Sequence, residues 1–316
     1  MTLGVNAHPR IAGGWGYAPG TFGELIQGEW LQVPFLVTLP IRWGARARFV
    51  PGAGPRVEVF PAYRHKARLA AELACRALGR PGGALALSSV LPLGKGLASS
   101  SADVVAAMRA VAAAYGARLT PAQMADMAAR IEPSDGVMYP GIVAFDVMRG
   151  RLLEKLGPAP RALIVGILGP GRVNTVAHHQ VRAPYTVSQQ RRLMEAIAHL
   201  RMAAAAGDCE GIGRAGRISA DVELERSPAD GLLADVLTIA DREKWGVVIA
   251  HSGTARGFLF SPEAAANGVV RRAETLLAGL NRGPINRFWT WSASIPVGGV
   301  FSESLESNAE ETFYSG

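Results

Sequence analysis

Cysteine is scarce in this sequence, and long apolar runs are absent from it. Only Cys75 and Cys209 occur among 316 residues, far apart and without C-x-x-C spacing. This argues against a disulfide framework or a cysteine-bound zinc, and it predicts a reducing compartment, the cytoplasm. No window offers the roughly 18 uninterrupted apolar residues of a membrane span. The N-terminus lacks the apolar segment of a secretory signal, so a membrane is not an expected partner.

The sequence also lacks a concentrated stripe of basic residues. The formal net charge is +7, but the arginines are scattered and are not interleaved with aromatic residues. Nucleic acid is therefore not an expected partner, and the charge fits an anionic small molecule such as a nucleotide. A generally basic surface explains the charge equally well. With 49% hydrophobic residues, the chain is long enough for one large domain or two lobes. The sequence carries no indication of the oligomeric state.

Residues 91–108, LPLGKGLASSSADVVAAM, join a loop of glycine and serine to an alanine-rich run. Glycine and serine let backbone N–H groups approach a ligand, and the alanine-rich run predicts a helix. A helix N-terminus has unpaired N–H groups and a partial positive charge, which favour a bound phosphate. An ordinary turn followed by a helix cap explains the same residues. The loop does not satisfy the Walker A pattern G-x-x-x-x-G-K-[ST].

Apolar periodicity and cap residues predict a mixed α/β protein. Strands are expected within residues 31–59, at 84–92 and 161–170, and on both sides of a turn within 245–260. Helices are expected at residues 64–78, 101–115, 121–131, 188–206 and 228–244, with Thr120 as an N-cap. We interpret GPAP at residues 157–160 as a hinge that divides the chain into domains 1–157 and 158–316.

Three further polar stretches that contain glycine lie beside apolar elements, where functional loops lie on a rigid scaffold. They are APGTFGELIQG (18–28), IEPSDG (131–136) and AHSGTARG (250–257). In IEPSDG, one of Glu132 and Asp135 would hold Mg²⁺ and the other would orient or deprotonate a nucleophilic hydroxyl. A surface Asp-Gly turn is the alternative. Glu24, in the first stretch, would bind a substrate amine or face solvent.

Two other patterns do not indicate a site. GIGRAG at residues 211–216 matches G-x-G-x-x-G, but it follows a helical run instead of a strand, which argues against a dinucleotide fingerprint. His178 and His179 are adjacent and lack an H-E-x-x-H context, so a histidine-bound metal is not expected.

The glycine-containing stretches together resemble the signatures of the GHMP kinases, the family of galactokinase, homoserine kinase and mevalonate kinase. APGTFGELIQG resembles the first signature and AHSGTARG the third, in the family's order. The second is matched by Pro92-x-Gly94-x-Gly96-Leu97-Ala98-Ser99-Ser100-Ser101, although many members have glycine where Ala98 stands. The forms GKGLASSSAD, GELIQG and EPSDGVMYPGIVAFD are most similar to the L-threonine kinases of the PduX type.

This resemblance implies a two-lobed α/β (α+β) GHMP kinase fold. The N-terminal lobe would be like ribosomal protein S5 domain 2 and the C-terminal lobe ferredoxin-like, with the active site in the cleft between them. The resemblance also implies ATP and Mg²⁺ as cofactors, and phosphorylation of L-threonine to L-threonine O-3-phosphate for the aminopropanol linker of cobalamin. Two alternatives stay open: another alcohol, such as homoserine, an isoprenoid or a sugar, and a catalytically inactive nucleotide-binding module.

The resemblance further implies roles for single residues. The loop that would wrap the nucleotide phosphates consists of Pro92, Gly94, Lys95, Gly96, Leu97, Ala98, Ser99, Ser100 and Ser101. Within it, Ser99 and Ser101 would bind phosphate or cap the helix, and Lys95 would meet a phosphate or face solvent. Ser100 and Glu132 would hold Mg²⁺, and Asp135 would bind the substrate or act as a base. These three are the expected catalytic residues.

A threonine substrate needs partners for its α-ammonium and its α-carboxylate. Glu24 or Asp135 would take the ammonium. The candidates for the carboxylate lie in the first and third signatures and are Thr21, Ser252, Thr254 and Arg256, with Gly253 in the same turn. A purely structural glycine turn is the alternative for residues 252–257.

Overall fold

Two long neighbouring strands, β1 (Gly13–Trp30) and β2 (Val33–Pro51), form the centre of the fold. The computed structural model describes residues 13–30, 33–171, 184–291 and 297–301. The other strands in these ranges are β3 (Val57–Phe60), β4 (Gly83–Ser89), β5 (Ile142–Asp146), β6 (Arg151–Gly157), β7 (Leu163–Leu168), β8 (Gly246–Ile249), β9 (Ala255–Phe260), β10 (Ile285–Trp289) and β11 (Gly298–Phe301). The predicted mixed α/β class and the strands expected around β2, β4, β7, β8 and β9 are confirmed.

These strands form one sheet in the order β10-β7-β9-β8-β1-β2-β4-β3, with β11 paired to β1 and the β5–β6 hairpin paired to β2. The β3–β4 pair is parallel, and the other pairs are antiparallel. The register of β1 against β2 shifts next to Gly20 and on both sides of Glu24. Bulges of this kind bend a strand and redirect its side chains.

The stretch at residues 18–28 is part of β1, so its interpretation as a loop was wrong. Its glycines serve close packing instead of a turn. A Cβ on Gly20 would lie 2.7 Å from the Leu97 carbonyl oxygen, and one on Gly23 would lie 2.2 Å from the Ile249 carbonyl oxygen. Gly23 also has a φ of +58°, a conformation that side chains with a Cβ rarely adopt.

Eight helices lie in the described ranges and cover the sheet. They are α1 (His65–Ala77), α2 (Ser99–Ala114), α3 (Pro121–Ala129), α4 (Val187–Ala206), α5 (Cys209–Arg226), α6 (Gly231–Glu243), α7 (Pro262–Ala266) and α8 (Val269–Gly279). The five predicted helices are confirmed within a few residues. The cap predicted at Thr120 is a capping box with Gln123, with proline in the first turn, which satisfies N–H groups that the helix itself leaves unpaired.

Small residues allow two helices to lie directly on the sheet. A Cβ on Gly14 would be 2.1 Å from the backbone of α2, and one on Gly16 would be 2.4 Å from it. The GIGRAG pattern lies inside α5, where a Cβ on Gly213 would meet Gly246 at 2.6 Å and one on Gly216 the Val247 carbonyl at 2.3 Å. Its glycines therefore pack a helix against β8, as expected for a sequence that is not a dinucleotide fingerprint.

The buried side chains form two hydrophobic clusters. The larger one contains Phe22 of β1, Ile41 of β2, Val104 of α2 and Leu193 of α4. The second lies around β7, β8 and β9 and includes residues of α6 and α8, such as Leu277. The two cysteines are free thiols and are buried. Among the residues that the structure describes, none of the helices combines the length and the apolar character that crossing a bilayer requires.

Candidate active site

A cavity of about 320 Å³ opens where five segments meet. They are β1, the start of α1, the loop before α2 with the start of α2, the turn after α3, and the turn between β8 and β9. The predicted site residues that line it are Glu24, Gly94, Gly96, Leu97, Ala98, Ser99, Ser100, Ser101, Glu132, Asp135 and Ser252. Polar groups that lie up to 228 residues apart in the sequence, such as Glu24 and Ser252, therefore share one cavity.

The loop and the first turn of α2 form one wall of this cavity. Gly94 and Gly96 have φ values of +71° and +80°, and Ala98, the N-cap residue, has a left-handed φ of 55°. No side chain caps the helix. Its first N–H groups and the positive end of its dipole are therefore available to an anion beside Ser99 and Ser100. This arrangement fits nucleotide phosphates.

The first and third signatures support the loop from behind. The backbone N–H groups of Thr21 and Gly23 donate to the carbonyl oxygens of Leu97 and Gly96 at 3.2 and 3.0 Å. Thr254 N donates to the Lys95 carbonyl at 3.1 Å. A Cβ on Gly253 would lie 2.3 Å from that same Lys95 oxygen. Thr21, Gly253 and Thr254 do not line the cavity, and their contacts position the phosphate loop.

Three other predicted residues also lie outside the cavity lining. The Lys95 ammonium donates to the carbonyl oxygens of Gly169 and Gly171 at 2.6 and 2.7 Å, which ties the loop to the chain after β7. Arg256 is buried and forms an ion pair with Asp230 at 2.7 Å. Pro92 comes directly before Leu93, the first residue of the loop that lines the cavity. His178 and His179 lie outside the described residues.

Ser100 and Glu132 are brought together, as their predicted shared role requires. The Ser100 hydroxyl donates to Glu132 Oε1, and the Lys66 ammonium binds Glu132 Oε2. A hydroxyl and a carboxylate oxygen are the hard ligands that Mg²⁺ prefers. In the described part of the chain no group of three or more His, Cys, Asp or Glu residues is placed to hold a metal. The donor set therefore fits an ion that takes its remaining ligands from phosphate and water, as Mg²⁺ commonly does.

Asp135 is held by a reciprocal pair of hydrogen bonds with Ser101. The Asp135 N–H donates to Ser101 Oγ at 3.0 Å, and that hydroxyl donates to Asp135 Oδ2 at 3.1 Å. Burial, reinforced by the negative charges of Glu24 and Glu132, raises the pKa of Asp135 to about 7. Ser101 thus orients the Asp135 carboxyl group instead of capping the helix.

Glu24 is equally buried, but its environment has the opposite effect. His251 N donates to Glu24 Oε2 at 2.7 Å, and Ser252 Oγ donates to Oε1 at 3.1 Å. Burial raises the pKa of Glu24, but interactions with His251 and Ser252 outweigh it and hold the pKa below the usual range. The cavity therefore holds one carboxylate that stays ionised and one that titrates near neutral pH, an arrangement typical of active sites.

The sequence reasoning missed the start of α1. Tyr63, Arg64, His65 and Lys66 line the cavity, and Arg64 forms an ion pair with the buried Asp103 of α2. Burial raises the pKa of Asp103 to about 6, although Arg64 acts in the opposite direction. A signal was present in the sequence: three basic residues at a helix N-terminus are unfavourable next to the helix dipole. They become favourable where acidic groups and an anionic ligand face them.

Comparisons with known proteins find similarity to kinases. Residues 64–144 match the family model of the GHMP kinases N terminal domain. The L-threonine kinase of Salmonella typhimurium (strain LT2) is 26% identical over 243 residues, which cover 76% of this chain and 81% of that protein. The L-threonine kinase of Citrobacter freundii is 26% identical over 246 residues, which cover 76% and 84%.

Solved structures show the same fold. The homoserine kinase of Cytophaga hutchinsonii has a TM-score of 0.69 and 19% identity, with 95% of this chain and 100% of that chain covered. The mevalonate kinase of Methanococcus jannaschii has a TM-score of 0.58 and 12% identity, with 90% and 99% covered. MDDEF in complex with MVAPP, AMPPCP and magnesium has a TM-score of 0.61 and 14% identity, with 92% and 99% covered. These likenesses confirm the expected two-lobed fold.

Proposed function

This chain belongs to the GHMP kinase superfamily, and on that premise we propose that it phosphorylates the side-chain hydroxyl of L-threonine with ATP. The product is L-threonine O-3-phosphate, which would serve the aminopropanol linker of cobalamin. One observation carries the proposal: a cavity at the N-terminus of α2 holds the ionised Glu24 beside the titrating Asp135. The similarity to two L-threonine kinases supports the choice of alcohol.

The wall formed by the loop and α2 binds the phosphates of ATP. Backbone N–H groups at Ser99 and Ser100 hold the phosphate oxygens, and Lys66 adds a positive charge beside them. Ser100 and Glu132 would hold Mg²⁺, which supplies positive charge against the phosphate oxygens when it is bound. The structural neighbour with AMPPCP and magnesium supports both ligands.

The part of the cavity lined by Glu24 and Ser252 binds the amino acid. Glu24 receives the α-ammonium, because its carboxylate stays ionised and each oxygen has capacity for a further hydrogen bond. Of the residues expected to bind the α-carboxylate, Ser252 lines the cavity. In the proposed division into two domains, residues 1–157 supply the loop and the acidic groups, and 158–316 supply the turn with Ser252.

Asp135 acts on the substrate hydroxyl. Ser101 fixes one carboxyl oxygen, so the other is left to accept a hydrogen bond from the alcohol and to align it with the phosphate. A carboxyl group that titrates near neutral pH also suits proton acceptance. Phosphoryl transfer has a loose transition state, so alignment alone supplies much of the rate.

The test is ADP release from ATP and Mg²⁺ with L-threonine, L-serine, L-homoserine, 1-aminopropan-2-ol, galactose and mevalonate, with ³¹P NMR of the product. We expect selective turnover of L-threonine. Asp135→Asn should lower kcat by at least about 100-fold, since it removes the group that aligns or deprotonates the hydroxyl.

The matched control is Asp126→Asn, which changes an exposed aspartate that pairs with Arg130 on α3 and should leave turnover unchanged. Turnover of another alcohol and not of L-threonine would retain the kinase activity and exclude L-threonine as the substrate. Binding of ATP without turnover of any alcohol would favour a catalytically inactive nucleotide-binding module.

A further inference from the structure

A buried chain of polar groups leads away from the cavity behind Glu24. The His251 ring lies next to Glu24, with Nδ1 at 3.5 Å from Glu24 Oε2. Its Nε2 lies 2.9 Å from Ser219 Oγ on α5, and Ser219 Oγ accepts a hydrogen bond from Gln27 N of β1 at 3.3 Å. His251 is 2% exposed and Ser219 1%, and neither residue lines the cavity.

The contacts among Glu24, His251 and Ser219 indicate where the protons of these three groups lie. Ser219 Oγ accepts from the Gln27 N–H and has its own hydroxyl proton left to donate to His251 Nε2. We assign the ring proton to Nδ1, which faces Glu24. The opposite tautomer would direct a lone pair at a carboxylate, which is repulsive. At 3.5 Å this contact is longer than a good hydrogen bond, and Nδ1 has no other partner among the residues that the structure describes.

Filling this space with polar groups is energetically unfavourable. Burying an imidazole nitrogen and a hydroxyl is unfavourable unless their hydrogen bonds are satisfied, and apolar side chains would fill the same volume without that cost. The hydrogen-bonded polar groups connect three separate elements, β1, α5 and the turn after β8, to one carboxylate. On its cavity side that carboxylate keeps capacity for another donor.

We propose that His251 and Ser219 are positioning residues that hold the Glu24 carboxylate in place to bind the α-ammonium of the substrate. In this way they set the selectivity for alcohols that carry an amino group. The inference rests on the proposed function, since it assigns the ammonium of an amino-alcohol substrate to Glu24. It adds a determinant of substrate choice that lies outside the cavity and touches no ligand.

The experiment compares three ligands that differ in single groups. L-threonine carries both charged groups, 1-aminopropan-2-ol lacks the carboxylate, and (R)-3-hydroxybutyrate lacks the ammonium. KM for ATP and L-threonine, kcat, and the inhibition constants of the two analogues are measured for the full chain. Ser219→Ala and His251→Phe should each weaken both amino-group ligands by about tenfold, because the Glu24 carboxylate is then no longer held in the position that binds the ammonium. Binding of (R)-3-hydroxybutyrate, KM for ATP and kcat should change by less than about twofold.

Two further variants separate positioning from general damage. His251→Asn retains a donor near the place of Nδ1 and should recover most of the affinity for L-threonine. Thr290→Val removes another buried hydroxyl, which accepts a hydrogen bond from the Ala162 N–H at 2.9 Å and is not part of the hydrogen bonds that link His251 and Ser219, and should not alter the ratio between ligands. If Ser219→Ala affected all three ligands equally, or none of them, the inference would be wrong. Failure of the proposed function is seen separately, as absence of L-threonine turnover by the unsubstituted protein.

Discussion

Two buried carboxyl groups in one cavity differ because of the donors around them. Glu24 accepts hydrogen bonds at both oxygens, whereas Asp135 has its single hydroxyl partner, Ser101, and two acidic neighbours. The sequence pattern was sufficient to select Glu132 and Asp135, because they are close together in one turn. It did not predict the partners of Glu24, because His251 and Ser252 lie 227 and 228 residues away.

The raised pKa of Asp135 predicts a stability that depends on pH. The pKa of the carboxyl group rises from 3.8 in the unfolded chain to about 7 in the folded protein, so the folded state binds more protons across that interval. Stability therefore falls as the pH rises from about 4 to 7, and the full destabilisation by the ionised Asp135 is present above pH 7. Asp135→Asn should raise the melting temperature at pH 8 by several degrees and have little effect at pH 4.

Thermal unfolding without nucleotide or Mg²⁺, measured from pH 4 to 8, checks this prediction. Asp126→Asn serves again as the control, since that side chain is 62% exposed in its ion pair and pairs of this kind contribute little. A melting temperature of Asp135→Asn that is lowered equally at every pH would show that the residue stabilises the turn. The combination of lower activity and higher stability is the expected mark of a functional residue.

At the scale of elements, the phosphate loop depends on segments far from it in the chain. The helix of α2 was predicted from its alanine content, although it begins at Ser99 and not at Ser101. The sequence singled out the glycines of the first and third signatures but indicated a loop for the first of them, which is part of β1. Their role is close approach to a neighbouring backbone, as at Gly253, and this depends on which segments the sheet places side by side.

Gly253→Ala should disturb the loop without touching a ligand. The added Cβ would lie 2.3 Å from the Lys95 carbonyl oxygen and 2.5 Å from Gly96 Cα, so backbone must move. We expect a loss of about 1–3 kcal/mol in the free energy of unfolding and a raised KM for ATP. Gly279→Ala, at the end of α8 with no atom within 4 Å of its Cβ, should be neutral or stabilising by up to about 1 kcal/mol. Unfolding in urea and steady-state kinetics provide both readouts.

At the scale of the whole molecule, β1 and β2 connect all parts of the described sheet. The second half of the chain packs on the first along β1, through β8, β11 and α5. The larger hydrophobic cluster contains residues from both sides of the proposed boundary at Gly157, such as Phe22 and Leu193. Local periodicity predicted five of the eight described helices and the strands around β2, β4, β7, β8 and β9, but not this connection, because strand pairing between distant segments leaves no local pattern.

We therefore expect the protein to unfold in one cooperative transition, since the larger hydrophobic cluster is built from residues of both halves. Differential scanning calorimetry should give a calorimetric enthalpy equal to the van't Hoff enthalpy. Two resolved transitions would contradict this expectation and would favour two units, 1–157 and 158–316, that fold independently.

The short turn between β8 and β9 contacts both the phosphate loop and Glu24. Gly253 and Thr254 brace the phosphate loop, while His251 and Ser252 hold Glu24 from the adjacent positions. We therefore expect a displacement of the loop by a bound nucleotide to move the Glu24 carboxylate, and a displacement of the carboxylate to move the loop. Binding at the two positions would then be thermodynamically linked, and by reciprocity each ligand would alter the affinity for the other by the same factor.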